Sequence, residues 1–475
     1  MRNNRLRYIS QQGLALCTGA CYPLAFAPWR WWPLALLSLC VLLHLWLSHS
    51  KPRRAAWLGF LWGVGAFGIG VSWVYISMHR YGGANMLVAG SITALLVFAL
   101  STFPAMTGYA LKRFTHASLP LTTLLLFPTL WVAFDLVRTF ILTGFPWLLL
   151  GYTQTETPLL SLAPIISVYG ISWLVALCVG ALVWVWHTRT RKQGMLAGGL
   201  ITTIVMISWL LSLYTWTTPR PTSLRVALVQ GNISQDEKWV PGALERILST
   251  YVQETTAHWG DDIIVWPEAA IPTFPQNIPE FIHNLSRAAA SHQTGLIVGI
   301  PTQHDHHYWN SIIGLGTAHG TYDKQHLVPF GEYTPLARWL KPLSRLVNIP
   351  MSDFSAAPRP PQPIWVNNVP VATFLCYEVA YAFLVDPLAK QAQLIVIASD
   401  DSWFGDSPAS SQQFQMAQLR AAETGRFVLY ATNTGITGIL SPTGKIVAQL
   451  PPNTTQTLSY TLHPTVGNTP FVIWL

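Results

Sequence analysis

Hydrophobic and polar positions follow two different rules along this chain. Up to about residue 217 the apolar residues come in long, nearly unbroken runs. Runs of roughly 20 apolar residues have the length needed to cross a bilayer as helices. Seven such spans are predicted, at about 12–28, 32–48, 56–77, 86–110, 118–137, 160–186 and 194–216. Pro23 and Pro28 interrupt the first, and Pro33 opens the second. From residue 224 the runs shorten and alternate with amphipathic stretches. Strands are predicted at Leu224–Gln230, Ile263–Trp266, Leu296–Ile300, Ile312–Leu315, Val371–Leu375, Leu394–Ala398, 427–432 and 435–440. Helices are predicted at Gly242–His258, Ile278–Ser291, Tyr381–Lys390 and Ser410–Thr424. Strands alternating with helices predict a layered α/β domain. The expected architecture is a polytopic α-helical membrane bundle over 1–217, a linker at 217–222, an α/β domain over 222–465, and a C-terminal segment, 466–475, too short to span.

Charge changes this picture from an outline to a topology. Charged residues are only 10% of the chain and hydrophobic residues 51%, against roughly 25% charged in soluble domains. A disordered or wholly soluble protein is excluded. The formal charge of +8 is unevenly placed: 15 Lys/Arg face 2 Asp/Glu before residue 222, and 13 face 18 after it. The basic excess lies between the spans, so it reports membrane topology and not a nucleic-acid face. Arg2, Arg5, Arg7, Lys51, Arg53, Arg54, Lys112, Arg113, Arg189, Arg191 and Lys192 fall on one side, and only Arg30, Arg80 and Arg138 on the other. The positive-inside rule then puts the N-terminus in the cytoplasm and everything after 217 in a periplasm-like compartment. No small-residue cleavage site follows the first run, so it reads as an anchor and not a cleaved signal.

Of five cysteines, Cys17, Cys21, Cys40 and Cys178 lie in apolar runs, and only Cys376 lies beyond them. That pattern offers neither a disulfide framework nor a CxxC metal site. In the membrane half, Asp135 and Arg138 are an intramembrane pair, functional by default or an interfacial ion pair. The stretch Thr143-Gly144-Phe145-Pro146-Trp147-Leu148 reads as a re-entrant segment lining a cavity or as an aromatic anchor, with Phe145 and Trp147 as candidate substrate or lipid contacts. His304-Asp305-His306-His307 lacks the spacing and further donors of a metal site.

Three strand ends in the second half carry unusual chemistry. Ile263–Trp266 runs out through Pro267 into Glu268; Lys324 opens a block ending at Glu332; and Val371–Leu375 turns at Cys376-Tyr377-Glu378. A free thiol is only a few per cent ionised near pH 7. A carboxylate can take its proton as it attacks, and an ammonium can hold the oxyanion that forms. Glu268, Lys324 and Cys376 are therefore candidate parts for thiol-based acyl transfer, although spacing alone does not bring them together. The apolar segment 333–340, with Trp339, reads as a lid or lipid-contacting arm, or as an ordinary buried helix.

These blocks resemble the Glu–Lys–Cys signatures of the nitrilase, or carbon–nitrogen hydrolase, superfamily, which implies an αββα sandwich. More specifically, the chain resembles the membrane-bound branch, the apolipoprotein N-acyltransferases. The likeness is carried by Gln230-Gly231-Asn232-Ile233, Lys238-Trp239, His326 to Glu332, Trp403 to Ser407, Arg420-Ala421, Glu423, Arg426 and Asn433-Thr434-Gly435, and upstream by Leu24 to Pro28 and Thr143 to Trp147. It implies Glu268 as base, Lys324 and an N–H near Tyr377 as oxyanion donors, and Cys376 as nucleophile. Glu332 is implied as a second acid positioning Lys324, with Trp239, Tyr377 and Glu378 as supporting residues. It further implies a phospholipid donor, a diacylglyceryl apolipoprotein acceptor, a thioester intermediate, no metal or cofactor, no nucleic acid, and a bacterial inner-membrane location with the catalytic domain in the periplasm. Two departures stand out: the family's further C-terminal membrane helix is not seen, and Asp400-Asp401-Ser402 replaces a more usual Asn-Asp-Ala. The alternatives are a membrane-tethered amidase or nitrilase acting on a small soluble substrate, and a transporter or scaffold carrying an inactive hydrolase domain.

Overall fold

Each of the apolar runs folds as helix in the computed structural model, which describes residues 2–114, 118–333, 353–357 and 360–474. The predicted arm at 334–340, with Trp339, lies outside the described residues. The chain divides into two units, one of Met1–Tyr75 with Asn85–Tyr214 and the other of Ile76–Ala84 with Thr215–Leu475.

Among the described residues, Met86–Arg113, Leu119–Thr143, Pro158–Thr188 and Arg191–Leu211 are long and apolar enough to cross a membrane, and Pro52–Gly70 with Trp73–Tyr81 is an apolar helix pair bent by 50°, either a broken fifth span or a re-entrant loop. Of the seven spans expected, the first two are the ones whose helices fall short of that length and composition. Pro33–Leu47 has only 15 residues, about 22 Å at 1.5 Å per residue, short of a ~30 Å hydrocarbon core. Arg2–Cys21 is diluted by arginine, asparagine and glutamine. If the bent pair is one span, five passes keep the parity of the seven expected. Helices approach closely through small residues: a Cβ on Gly59 or Gly63 would lie 2.4 Å from the Pro104 carbonyl oxygen or 2.7 Å from the Ser101 Cα.

The second unit contains two facing sheets. Its strands are β1 (Thr218–Pro219), β2 (Leu224–Gln230), β3 (Ile263–Trp266), β4 (Gly295–His304), β5 (His307–Gly316), β6 (Ala318–His319), β7 (Thr321–Asp323), β8 (Ile364–Val366), β9 (Val369–Leu375), β10 (Leu394–Ser399), β11 (Val428–Thr432), β12 (Gly438–Leu440), β13 (Ile446–Gln449), β14 (Gln456–Leu462) and β15 (Thr465–Val466). One sheet has the order β14-β2-β3-β4-β5-β7 and the other β13-β12-β11-β10-β9-β8-β6. The centres, β2-β3-β4 and β9-β10-β11, are parallel. Parallel strands are covered on both faces and so read as continuous apolar runs, which is why β3 and β10 are buried at every residue. Helices Leu244–Thr256 and Pro279–Ser291 lay apolar stripes on the outside of the first sheet, around Ile247, Tyr251, Leu285 and Ala289. Ala409–Thr424 covers the second. The result is the expected αββα sandwich.

The predicted strand at 435–440 is only Gly438–Leu440, because Thr432 to Thr437 turn through side-chain hydrogen bonds. The predicted linker is not loose: Thr218–Pro219 pairs with Thr465–Val466, and the Thr217 hydroxyl donates to the Gly425 carbonyl. His304-Asp305-His306-His307 is the β4–β5 hairpin turn.

Candidate active site

Both parallel centres end on the same side of the sandwich, the place where open α/β sheets bind ligands. Glu268 follows β3, Cys376 follows β9, Asp400 and Asp401 follow β10, and Asn433 follows β11. Gly299 on β4 makes room for the first of these: a Cβ there would lie 2.2 Å from the Pro267 carbonyl oxygen.

Glu268 and Lys324 meet. The Lys324 ammonium donates to Glu268 Oε1 at 3.3 Å and to Glu332 Oε1 at 2.8 Å, and is 1% exposed. Burial alone would lower the Lys324 pKa, but Glu268 and Glu332 outweigh it and raise it, so the ammonium keeps its charge. Asn310 on β5 donates at 2.7 Å to both carboxylates, through the same Nδ2. The remaining oxygen of Glu332 accepts from the Val328 N–H at 2.8 Å, and that of Glu268 from the Asp400 N–H at 2.9 Å.

Cys376 stands at the elbow between β9 and a short 3₁₀ helix, with φ at +50°. A non-glycine residue held in that region stores strain, a common trait of nucleophile turns. Gln413 Nε2 lies 3.7 Å from its sulfur. Burial pushes the thiol well above its ordinary pKa, Glu268 pushes it further, and Lys324 only partly opposes them. Both influences favour the protonated thiol, which could act as a nucleophile only with a base to take its proton.

The comparisons with known proteins speak to both units. Residues 18–181 match the Apolipoprotein N-acyltransferase N-terminal domain, and residues 225–471 match the Carbon-nitrogen hydrolase family. An apolipoprotein N-acyltransferase of Coxiella burnetii is 44% identical over 97% of this chain and 96% of its own length. The chain belongs to the apolipoprotein N-acyltransferase family. A second apolipoprotein N-acyltransferase, from Methylococcus capsulatus, is 39% identical over 97% of this chain and 92% of its own length. Among solved structures, a carbon-nitrogen hydrolase from Helicobacter pylori G27 is 14% identical, covering 51% of this chain and 89% of that one with a TM-score of 0.40. In this N-acyltransferase the hydrolase match falls on the α/β unit and the N-terminal match on the helical one.

Among the other candidates of this family member, Glu378 is entirely buried and accepts four hydrogen bonds. They come from the N–H groups of Gln325, His326 and Leu375 and from the Tyr322 hydroxyl, at 2.7–3.0 Å. Burial pushes its carboxyl up to about 7, against the pull of Lys324 and of its donors. It ties the Lys324 block to the Cys376 elbow, which marks it as a brace. Replacing Glu378 by Ala strands the buried Leu375 N–H, at a cost of about 1–3 kcal/mol, and frees the part-buried Gln325 and His326 N–H groups. The thermal midpoint of Glu378→Ala in detergent is expected to fall by several degrees; an unchanged midpoint would remove the brace.

Tyr377 is buried in a trio with His326 and Tyr381, its hydroxyl accepting from Tyr381 at 3.0 Å. Trp239 is half-buried, and its indole N–H has no hydrogen-bond partner among the described residues. In the helical unit, Trp147 is 0% exposed, packed against Phe145 and Trp73. Trp147 thus lies in the interior, and Phe145 is half-buried beside it. Asp135 and Arg138 pair at 2.7 Å, and Arg138 also donates to the carbonyls of Phe145 and Trp147, at 3.1 and 2.6 Å. The pair clamps a turn whose Leu142, Thr143, Gly144 and Leu148 all have positive φ.

Sequence reasoning missed Asn310, Gln413 and the partnership of Lys238 with Asp400. The signal for Gln413 was a helix with too many polar residues on its buried face. Asn310 carried none beyond being polar within a strand.

Proposed function

We propose that this protein transfers an acyl chain from a phospholipid, through a thioester on Cys376, to the N-terminal amine of the diacylglyceryl-cysteine of apolipoproteins. The observation that carries the reading is the Glu268–Lys324 pair set beside an unionised, strained Cys376 in a member of this family.

Glu268 takes the Cys376 proton as the sulfur attacks the ester carbonyl. The oxyanion is held by the Lys324 ammonium and the Tyr377 N–H. The tetrahedral adduct breaks its C–O bond, and the lysophospholipid leaves with the proton from Glu268. The acceptor amine, in its neutral form, then attacks the thioester and gives its proton to Glu268. The C–S bond breaks, and the sulfur recovers the proton. Glu332, fixed by Asn310 and the Val328 N–H, positions Lys324. Each step uses only these groups and the two substrates.

A helical unit in the bilayer suits lipid substrates, since extracting an acyl chain costs about 0.8 kcal/mol per CH₂. The reading places the protein in a bacterial inner membrane with the α/β unit in the periplasm, supported by the basic asymmetry between the loops. A reporter fused after residue 230 is expected to work only if it is active outside the cytoplasm. A cytoplasm-only signal would reverse the topology. The functional test is acyl transfer from phospholipid to a diacylated lipopeptide, beside ammonia release from small amides. Transfer without ammonia supports the acyltransferase; the opposite result supports the tethered amidase.

A further inference from the structure

Lys238 ends the short helix Gln235–Lys238 that follows β2, and Asp400 follows β10. Their side chains pair at 2.5 Å and are 1% and 6% exposed. Both touch Glu268. Lys238 Nζ donates to the Glu268 backbone carbonyl at 3.4 Å, and the Asp400 N–H donates to Glu268 Oε2 at 2.9 Å. Asp400 Oδ1 accepts from the Ser402 hydroxyl at 2.6 Å and from Asn433 Nδ2 at 3.1 Å. Asn433 in turn holds both backbone groups of Ile233, the residue between β2 and Lys238. Lys238 and Glu268 belong to one sheet; Asp400, Asn433 and Cys376 belong to the other. The pair therefore closes a clasp between the strand ends that carry the proposed base and the proposed nucleophile.

A buried ion pair is weak evidence for stability, because desolvating two charges offsets most of their attraction. Burial would raise the Asp400 carboxyl, but Lys238 and the Ser402 and Asn433 donors hold it below the usual carboxylate range. Charge is thus maintained here, one hydrogen bond from Glu268. The other charged or titratable groups facing Glu268 are Lys324 and Glu332 after β7, Cys376 at the elbow, Asp401 after β10 and Tyr430 on β11. Lys238 is the second cation of this group.

We propose that Lys238 and Asp400 are positioning residues that set the orientation and local field of Glu268 by locking the two sheet ends together. The inference rests on Glu268 being the base.

Lys238→Met leaves the Asp400 carboxylate unpaired beside Glu268. Like charges at this range move a carboxylate's titration by about a unit or more. Acyl transfer should fall at least 10-fold, and the acid limb of the kcat/KM profile should move up by about one pH unit. Asp400→Asn should leave that limb in place or lower it. The double variant Lys238→Met/Asp400→Asn removes both charges and keeps the shape; it should return the limb to its wild-type position and recover most of the rate. A purely structural clasp would lower rate and thermal midpoint together without moving the limb, and that outcome overturns the proposal. So does a folded Lys238→Met enzyme with wild-type rate and profile. Glu268→Gln serves as the reference: if it is active, the base assignment fails, whereas an inactive Glu268→Gln beside an unaltered Lys238→Met sinks the clasp alone. In the Glu268→Gln background, Lys238→Met should cost nothing more.

Discussion

Wild-type protein mixed with phospholipid and no acceptor is expected to gain one acyl mass, with the adduct mapping to Cys376 and released by hydroxylamine as a thioester is. This is the largest expected effect, because the two half-reactions share one sulfur. Cys376→Ala should show neither adduct nor turnover. Cys376→Ser should be nearly inactive: the hydroxyl is a far weaker nucleophile, and Glu268 would have to remove a much less acidic proton. Cys17, Cys21, Cys40 and Cys178 belong to the helical unit, so their joint replacement by Ala should spare the chemistry. An active Cys376→Ala protein, or an adduct on another residue, ends the covalent mechanism.

Glu268→Gln keeps the size of the side chain and loses its basicity. The Cys376 thiol sits well above its ordinary pKa, so little thiolate exists to attack without help, and transfer should fall roughly 10²- to 10⁴-fold. Gln keeps a single acceptor oxygen, so it can accept from Asn310 or from the Asp400 N–H but not from both; an unchanged thermal midpoint in the variant therefore separates loss of the base from loss of fold. Lys324→Met should cost at least ~10²-fold, the usual loss for one oxyanion donor. It would also leave Glu268 and Glu332 facing each other around Asn310 without a cation. Near-normal transfer by either folded variant would remove that residue from its role. Single-turnover formation of the thioester is the measurement to use, since it isolates the first half-reaction.

The long apolar runs and the parallel strand cores were legible because burial on all sides leaves an unbroken apolar string. The edge strands were not. β13 is only four residues with Val447 and Gln449 exposed, and β14 mixes Gln, Thr and Ser with Leu458, Tyr460 and Leu462, all seven residues pairing with β2. Glu268, Lys324 and Cys376 could be read as ionisable or nucleophilic groups beside strand ends. Their supports could not, because each depends on a meeting the sequence does not encode locally. Lys238 and Asp400 are 162 positions apart, and Asn310 reaches two carboxylates from the middle of an ordinary-looking strand. The burial of Trp147 was illegible for a related reason: Arg138, nine residues away, holds the turn through the Trp147 carbonyl.

The state of the Cys376 thiol also bears on how long the protein survives. Peroxide, disulfide exchange and the steps towards sulfenic acid all act on the thiolate. A sulfur kept protonated by burial and by the Glu268 charge offers oxidants little to attack. An acidic, exposed thiolate would be a faster nucleophile in isolation, but in an oxidising compartment it would be capped before a lipid reached it. On the proposed mechanism, the environment that makes Cys376 depend on a base would also keep it reduced between turnovers.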